Sequence, residues 1–280
     1  MKLHDLLKAT YTAWRADLPA SWQAPLANVE PDFAGVPTNT TIGASIRLFP
    51  RLKTNAIACA PPGASALRCL DRVPFSGVRV VVVGQDPYPR CRQATGRAFE
   101  QGSWVAWDAT SDQDKVPASF RRVIQRVAQF RSGNNGTAGG GWSSLTTALA
   151  AGTLTLDPPG ALYDSWEDQG VIFLNKVLTY TLPSHVFVHH DVFWRPVVRR
   201  IVEQLAARPA ARVVFAMWGA EPAKLQSAIK SAAMAAGAWN TRVKVVTASH
   251  PATGSFLSGT NQFRQINDAL TSIGGASVSW

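Results

Sequence analysis

The stretch Val78-Arg79-Val80-Val81-Val82-Val83-Gly84-Gln85-Asp86-Pro87-Tyr88 decides the architecture. Four consecutive valines are apolar on both faces of an extended segment, so the run reads as a strand covered front and back, with helices on either side of its sheet. Three further runs share this character: Val171 to Asn175, Arg212 to Trp218 and Val243 to Ala248. Helix-like stretches separate them. Between Phe193 and Ala206, the residues Trp194, Val197, Val198, Ile201, Val202 and Leu205 recur at helical spacing and predict one apolar stripe packed on the sheet. The expected fold is α/β, a three-layer α/β/α sandwich around a central four-stranded, mainly parallel sheet.

With 280 residues, 46% of them hydrophobic, the chain can bury one sizeable core. A single domain over 1–280 is expected, with a loop-rich N-terminal segment over 1–60 packed on it and a glycine-rich surface insertion near 131–144. Lys and Arg number 28 against 18 Asp and Glu, a formal charge of +10 that suits a polyanionic partner, nucleic acid first among them. Charge alone equally fits a basic protein charged for solubility. Cys59, Cys69 and Cys91 form no close pair and are odd in number, so free thiols in a reducing compartment are expected. No apolar run reaches membrane-spanning length, and the opening segment mixes acids with bases, unlike a targeting signal. A monomeric, cytoplasmic, DNA-associated protein with no membrane partner is expected.

In parallel sheets, ligands bind beyond the carboxyl ends of the strands, and here the residues just past each run are polar. They are GQDPYPR from Gly84, Asn175 itself, WGAEPAK from Trp218 and SHPATGS from Ser249. In isolation Asp86 reads as a turn or capping aspartate, and a histidine before proline as a hydrogen-bonded turn residue. The ordered set carries more. GQDPY, then QATGRAF from Gln93, FLNKVLT from Phe173, VVFAMWG from Val213 and ASHP from Ala248 together resemble the family 1 uracil-DNA glycosylases. The resemblance runs from about Trp22 to the C-terminus, interrupted by an inserted stretch near 103–116 and by the glycine-rich loop.

The resemblance implies a hydrolase that flips uracil from DNA, single- or double-stranded, and cleaves its bond to deoxyribose without metal or organic cofactor. Uracil departs as an N1 anion while positive charge develops on the sugar, so the site needs a carboxylate near the sugar and donors around the base. The resemblance gives Asp86 the first task, as ionised stabiliser and general base for water, and His250 the second, as a neutral imidazole donating to uracil O2. It implies that the Asn175 amide pairs with O4 and N3, a pattern cytosine reverses. Phe99 would stack on the base, Tyr88 would crowd the position of thymine's methyl, and Gln85 would line the pocket. For DNA contact it points to Ser119 in the Pro117–Ser119 loop, to Gly219 and Ala220, and to the loop after His250. Arg90, Arg92, Arg97 and Lys224 are candidates for phosphate.

The chain also departs from the family. Pro89 stands where the family has histidine after GQDPY, removing a polar group beside the water and phosphate. Ala220 replaces a serine. HPSPLS becomes His250-Pro251-Ala252-Thr253-Gly254-Ser255, so Gly254 occupies the place of the duplex wedge and Phe256 or Leu257 is expected to take that role. The acidic, DNA-mimicking inhibitor protein of the family is expected to bind weakly or not at all. Competing readings are a non-catalytic damaged-DNA-binding relative, a hydrolase of free nucleotides, and a glycosylase shifted to another deaminated base. Intact Asp86, Asn175 and His250 argue against the first, the lack of a phosphate-loop motif against the second, and Tyr88 with Asn175 against the third.

Overall fold

Each predicted apolar run forms a strand: β1 (Val80–Gly84), β2 (Val171–Asn175), β3 (Val213–Trp218) and β4 (Val243–Ala248). They lie in the order β2-β1-β3-β4 with every pairing parallel. This computed structural model describes residues 1–104, 106–107, 116–133 and 141–280. Most of the 103–116 insertion and the interior of the glycine-rich insertion lie outside the described residues. The described helices are α1 (Leu3–Tyr11), α2 (Ala20–Gln23), α3 (Ala118–Arg131), α4 (Trp142–Ala150), α5 (Pro159–Glu167), α6 (Phe187–Ala207), α7 (Ala220–Ala223), α8 (Gln226–Ala235) and α9 (Gln262–Ser272).

Alternate strand residues go to opposite layers. Val81, Val83, Ile172, Leu174, Phe215 and Met217 pack with Leu7 of α1, the stripe of α6, and Ile229 of α8. Val80, Val82, Phe173, Val214 and Ala216 pack with Phe120 and Ile124 of α3, Trp166 of α5, and Phe263 and Ile266 of α9. Both faces of β1, β2 and β3 are therefore dry, which is why those sequences do not alternate with polar residues, whereas β4 at the sheet edge is only partly covered and carries Lys244 and Thr247; each buried valine contributes about 1.5–3 kcal/mol relative to exposure. The N-terminal loops join the first layer through Trp14 and Trp22, whose indole N–H groups reach Glu30 (2.8 Å) and the Val73 carbonyl (2.9 Å).

Two expectations change. Helix α6 begins at Phe187, before the predicted stripe, because its first turns carry His189 and Asp191 rather than core residues; it also holds Pro196 in its interior. The cysteines are not all free. Cys59 and Cys91 form a disulfide, with Cα atoms 5.8 Å apart, and only Cys69 is a buried free thiol. A long loop rather than sequence proximity brings the pair together, so the spacing gave no sign of it. The bond fastens the segment after Phe49 to the turn that follows Asp86. No helix among the described residues is long and apolar enough to cross a membrane.

Candidate active site

The strand ends converge on a cavity of about 450 Å³ lined by Gln85, Asp86, Tyr88, Phe99, Ser119, Asn175 and His250 among others. Asn175 ends β2 and Asp86 lies two residues beyond β1, so strand register itself sets these two side by side: Gly84 pairs with Asn175. The loop after β1 is held by two further bonds, Lys176 N–H to the Gly84 carbonyl and Val177 N–H to the Gln85 carbonyl, both 2.9 Å. Gly84 is required there. A Cβ on it would lie 2.8 Å from Asn175 Oδ1 and 2.9 Å from Ala98 Cβ.

Asp86 is mostly buried and its carboxylate accepts no hydrogen bond from the described residues. Burial pushes its pKa up to about 6, with the Lys176 ammonium pulling the other way. Lys176 is itself buried between Asp191 (2.6 Å) and Glu221 (3.0 Å). His250 follows β4. The Ala252 N–H donates to its Nδ1 at 3.0 Å, which leaves Nε2 as the protonated nitrogen of a neutral ring. Burial lowers the His250 pKa, so the ring stays neutral at pH 7. Gly219 makes room for it: φ is +117°, and a Cβ would sit 3.1 Å from His250 Cδ2.

Asn175 is 2% exposed and lines the cavity, and its side-chain amide makes no hydrogen bond among the described residues, leaving donor and acceptor available to a ligand. Phe99 forms an aromatic shelf with its ring centroid 5.3 Å from Trp218 and 6.0 Å from His250. Its backbone is left-handed, with φ +66°, an uncommon state for a bulky residue. The Tyr88 hydroxyl is engaged by the Phe99 carbonyl (3.2 Å) and Ser119 Oγ (3.0 Å).

Several expected DNA contacts lie elsewhere. Ser119 is buried in the pocket wall, bonded to Tyr88 rather than presented outward. Phe256 is fully buried, its ring 5.1 Å from Trp218, so it is unavailable as a wedge; Leu257 beside it is only partly covered. Arg97 is not a surface cation but a buried hub bonded to Glu100 (3.0 Å), Asp164 (2.5 Å) and Glu167 (2.7 Å). Lys224 is tied to Glu221. Gly219 is buried, whereas Ala220 and Arg90 are exposed.

The sequence reading missed the arginines that stake the loop after His250. Arg122 donates to the Pro251 and Ala252 carbonyls at 3.0 and 2.6 Å, and fully buried Arg126 to those of Phe256 and Ser258 at 3.0 and 2.8 Å. It also missed Tyr180, Ser184 and Phe187, which complete the cavity wall from the segment after β2. Nothing in their spacing marks them, because they reach the cavity only once α6 has docked.

Fold and cavity define a class of protein: a parallel α/β protein whose strand-end cavity gathers an aromatic shelf, a carboxylate, a carboxamide and a neutral imidazole. Comparison with known proteins makes the assignment particular. Residues 70–271 match the model of the uracil DNA glycosylase superfamily. The chain is 27% identical over 274 residues to the uracil-DNA glycosylase of Tropheryma whipplei strain Twist, covering 96% of each chain. It is 25% identical over 267 residues to that of Deinococcus radiodurans, covering 95% of this chain and 88% of the relative. The wild-type UNG crystal structure from Nitratifractor salsuginis superposes with a TM-score of 0.64 at 19% identity, over 95% of both chains. The chain belongs to the uracil DNA glycosylase superfamily.

Proposed function

We propose that the protein flips uracil out of DNA into the 450 Å³ cavity and hydrolyses its N-glycosidic bond, leaving free uracil and an abasic site for base-excision repair. The named activity of the relatives supports the reaction. The observation that carries it is the meeting, in one cavity, of Asp86, a neutral His250 with its Nε2 proton free, and the Asn175 amide, which makes no hydrogen bond among the described residues.

The roles are those the family resemblance implies, and the geometry supports them. Asn175 donates from its Nδ2 to uracil O4 and accepts from N3–H at Oδ1; cytosine presents a donor and a bare nitrogen in those places and leaves both bonds unmade. Such a buried mismatch discriminates by roughly four to five powers of ten. As the C1′–N1 bond breaks, electron density moves to uracil N1 and O2, and His250 Nε2–H donates to O2. Asp86 faces the cationic sugar and takes one proton from the water whose oxygen bonds to C1′. Each group thus meets charge where the transition state develops it. Nothing in this scheme calls for a metal or an organic cofactor, so a chelator is expected to leave the rate unchanged.

Phosphate contact falls to Arg90, with Arg47 and Arg92, which line an adjacent cavity of about 670 Å³ and form no ion pair among the described residues. The backbone at Gly219 and Ala220 is a further contact, and Leu257 is the remaining wedge candidate. The protein acts as a monomer in this reading, within a single domain over 1–280. The test is direct: incubation with single- and double-stranded oligonucleotides carrying one uracil yields alkali-labile abasic sites. Intact oligonucleotides at high enzyme concentration would refute the proposal.

Two outcomes follow from the walls of the site. Tyr88→Ala removes the ring that crowds the position of a C5 methyl, so the preference for uracil over thymine is expected to fall by roughly 10- to 200-fold, the worth of one methyl-sized group. Thymine release from a duplex, followed by chromatography, checks it. The acidic inhibitor protein that mimics DNA is expected to bind weakly, because the loop tip from Ala252 to Ser255 offers no large apolar residue and Phe256 is turned into the core. Stoichiometric inhibition in a titration would count against this.

A further inference from the structure

Asp86 alone cannot orient a water. A carboxylate receiving one hydrogen leaves the molecule free to rotate about that bond, so a second anchor is needed to aim the oxygen at C1′. The residue after Tyr88 is Pro89, whose side chain offers neither donor nor acceptor.

The polar side chains around the cavity narrow the choice. The hydroxyls of Tyr88 and Ser119 bond each other, Thr95 Oγ1 accepts from the Arg97 N–H at 3.1 Å, and the Arg97 guanidinium and Glu100 are bound together. Asn175 and His250 are taken up by the base in the proposed reading. Ser184 lies exposed at the rim. Tyr180 remains. It lines the cavity, is 8% exposed as a residue, and its hydroxyl has no partner among the described residues, yet it is not among the sealed, unsatisfied atoms of the interior. The residue lines the cavity and its hydroxyl is neither bonded among the described residues nor sealed off, which leaves it free to bond a molecule held there.

The ring is firmly held. The Tyr180 N–H donates to the Phe49 carbonyl at 2.7 Å and the Phe49 N–H returns the bond at 3.1 Å, while the two rings pack with centroids 5.9 Å apart. Ala94 closes the same small cluster, and Cys91 of the Cys59–Cys91 disulfide packs against it. Asp86 lines the same cavity, and burial together with the Asp86 charge raises the phenol's pKa.

From this geometry we infer that Tyr180 is a catalytic residue: its hydroxyl oxygen accepts the hydrogen of the attacking water that is not transferred to Asp86. The water oxygen forms the bond to C1′, one proton passes to Asp86, the other stays on the product hydroxyl at C1′, and the departing electron pair leaves on uracil. Tyrosine changes no protonation state and serves to aim the nucleophile. The inference rests on the glycosylase reading.

Single-turnover excision by Tyr180→Phe tests it. Phenylalanine keeps the ring and its packing, so the melting temperature should match that of the wild type, while the single-turnover rate is expected to fall by roughly 10- to 30-fold, the scale of one lost orienting contact. The half-saturating DNA concentration should stay constant, and the acid limb of the pH profile should stay in place because Asp86 is untouched. A rate within twofold of wild type overturns the inference, as does a loss expressed wholly as weaker DNA binding. Wild type and Asp86→Asn run alongside keep the two claims apart: an active wild type with an unaffected Tyr180→Phe sinks this inference alone, whereas an inactive wild type sinks the glycosylase reading beneath it.

Discussion

Asp86→Asn is expected to lower uracil excision by roughly a thousandfold while raising the stability of the folded protein at pH 7. The loss follows from removing both the general base and the negative charge facing the sugar cation, contributions worth about two to four powers of ten. The gain follows from burial. Asp86 has its pKa pushed up to about 6 from 3.8 by desolvation, which Lys176 only partly offsets. Because the folded-state value lies above the unfolded one, the carboxyl favours folding fully below pH 3.8, and that contribution disappears as pH rises through 6. At pH 7 the ionised group therefore costs on the order of 2–3 kcal/mol. Asparagine escapes that cost, so its melting temperature should exceed that of the wild type at pH 7 and approach it near pH 4. Equal melting temperatures at pH 7 would show that Asp86 is better solvated than its surroundings indicate. The same shift shapes the wild-type rate, which should climb as pH rises through 6 and level off above 7.

His250→Ala should cost about 100- to 1,000-fold in the chemical step, the scale for one preorganised donor to a developing oxyanion. The Ala252 N–H fixes which nitrogen of the ring carries the proton, and burial keeps the ring uncharged. The defect should therefore be nearly constant between pH 6.5 and 8.5. Single-turnover rates across that range provide the check; a loss that vanished at high pH would mean that imidazolium, not imidazole, does the work. Arg122 and Arg126 hold the loop from the α3 side, so removal of the ring should leave the backbone after β4 in place.

The sheet was legible because its apolar runs, three of them fully, are satisfied by burial on two faces, and the heart of the pocket was legible because Asp86, Asn175 and His250 end or follow strands in an ordered set of motifs that resembles a family. Asp86, Asn175 and His250 needed only the strand termini to be placed. What the sequence did not show depends on long-range approach. Arg97 carries the same charge as Arg90, but only the arrival of α5 with Asp164 and Glu167 turns it into a buried hub. Phe256 and Leu257 are interchangeable in the sequence; the position of Trp218 decides which one is swallowed. Cys59 and Cys91 meet because a long loop folds back, and Cys91 packs on the small cluster in which Phe49 holds Tyr180.

The left-handed backbone at Phe99 bears on how base preference could drift over evolutionary time. Valine and isoleucine tolerate that conformation poorly, and the strain, roughly 1–3 kcal/mol, is already carried by the resting protein. Reshaping the platform under the nucleobase thus demands a compensating change in the main chain, so new substrate ranges are more accessible through the side chains opposite it.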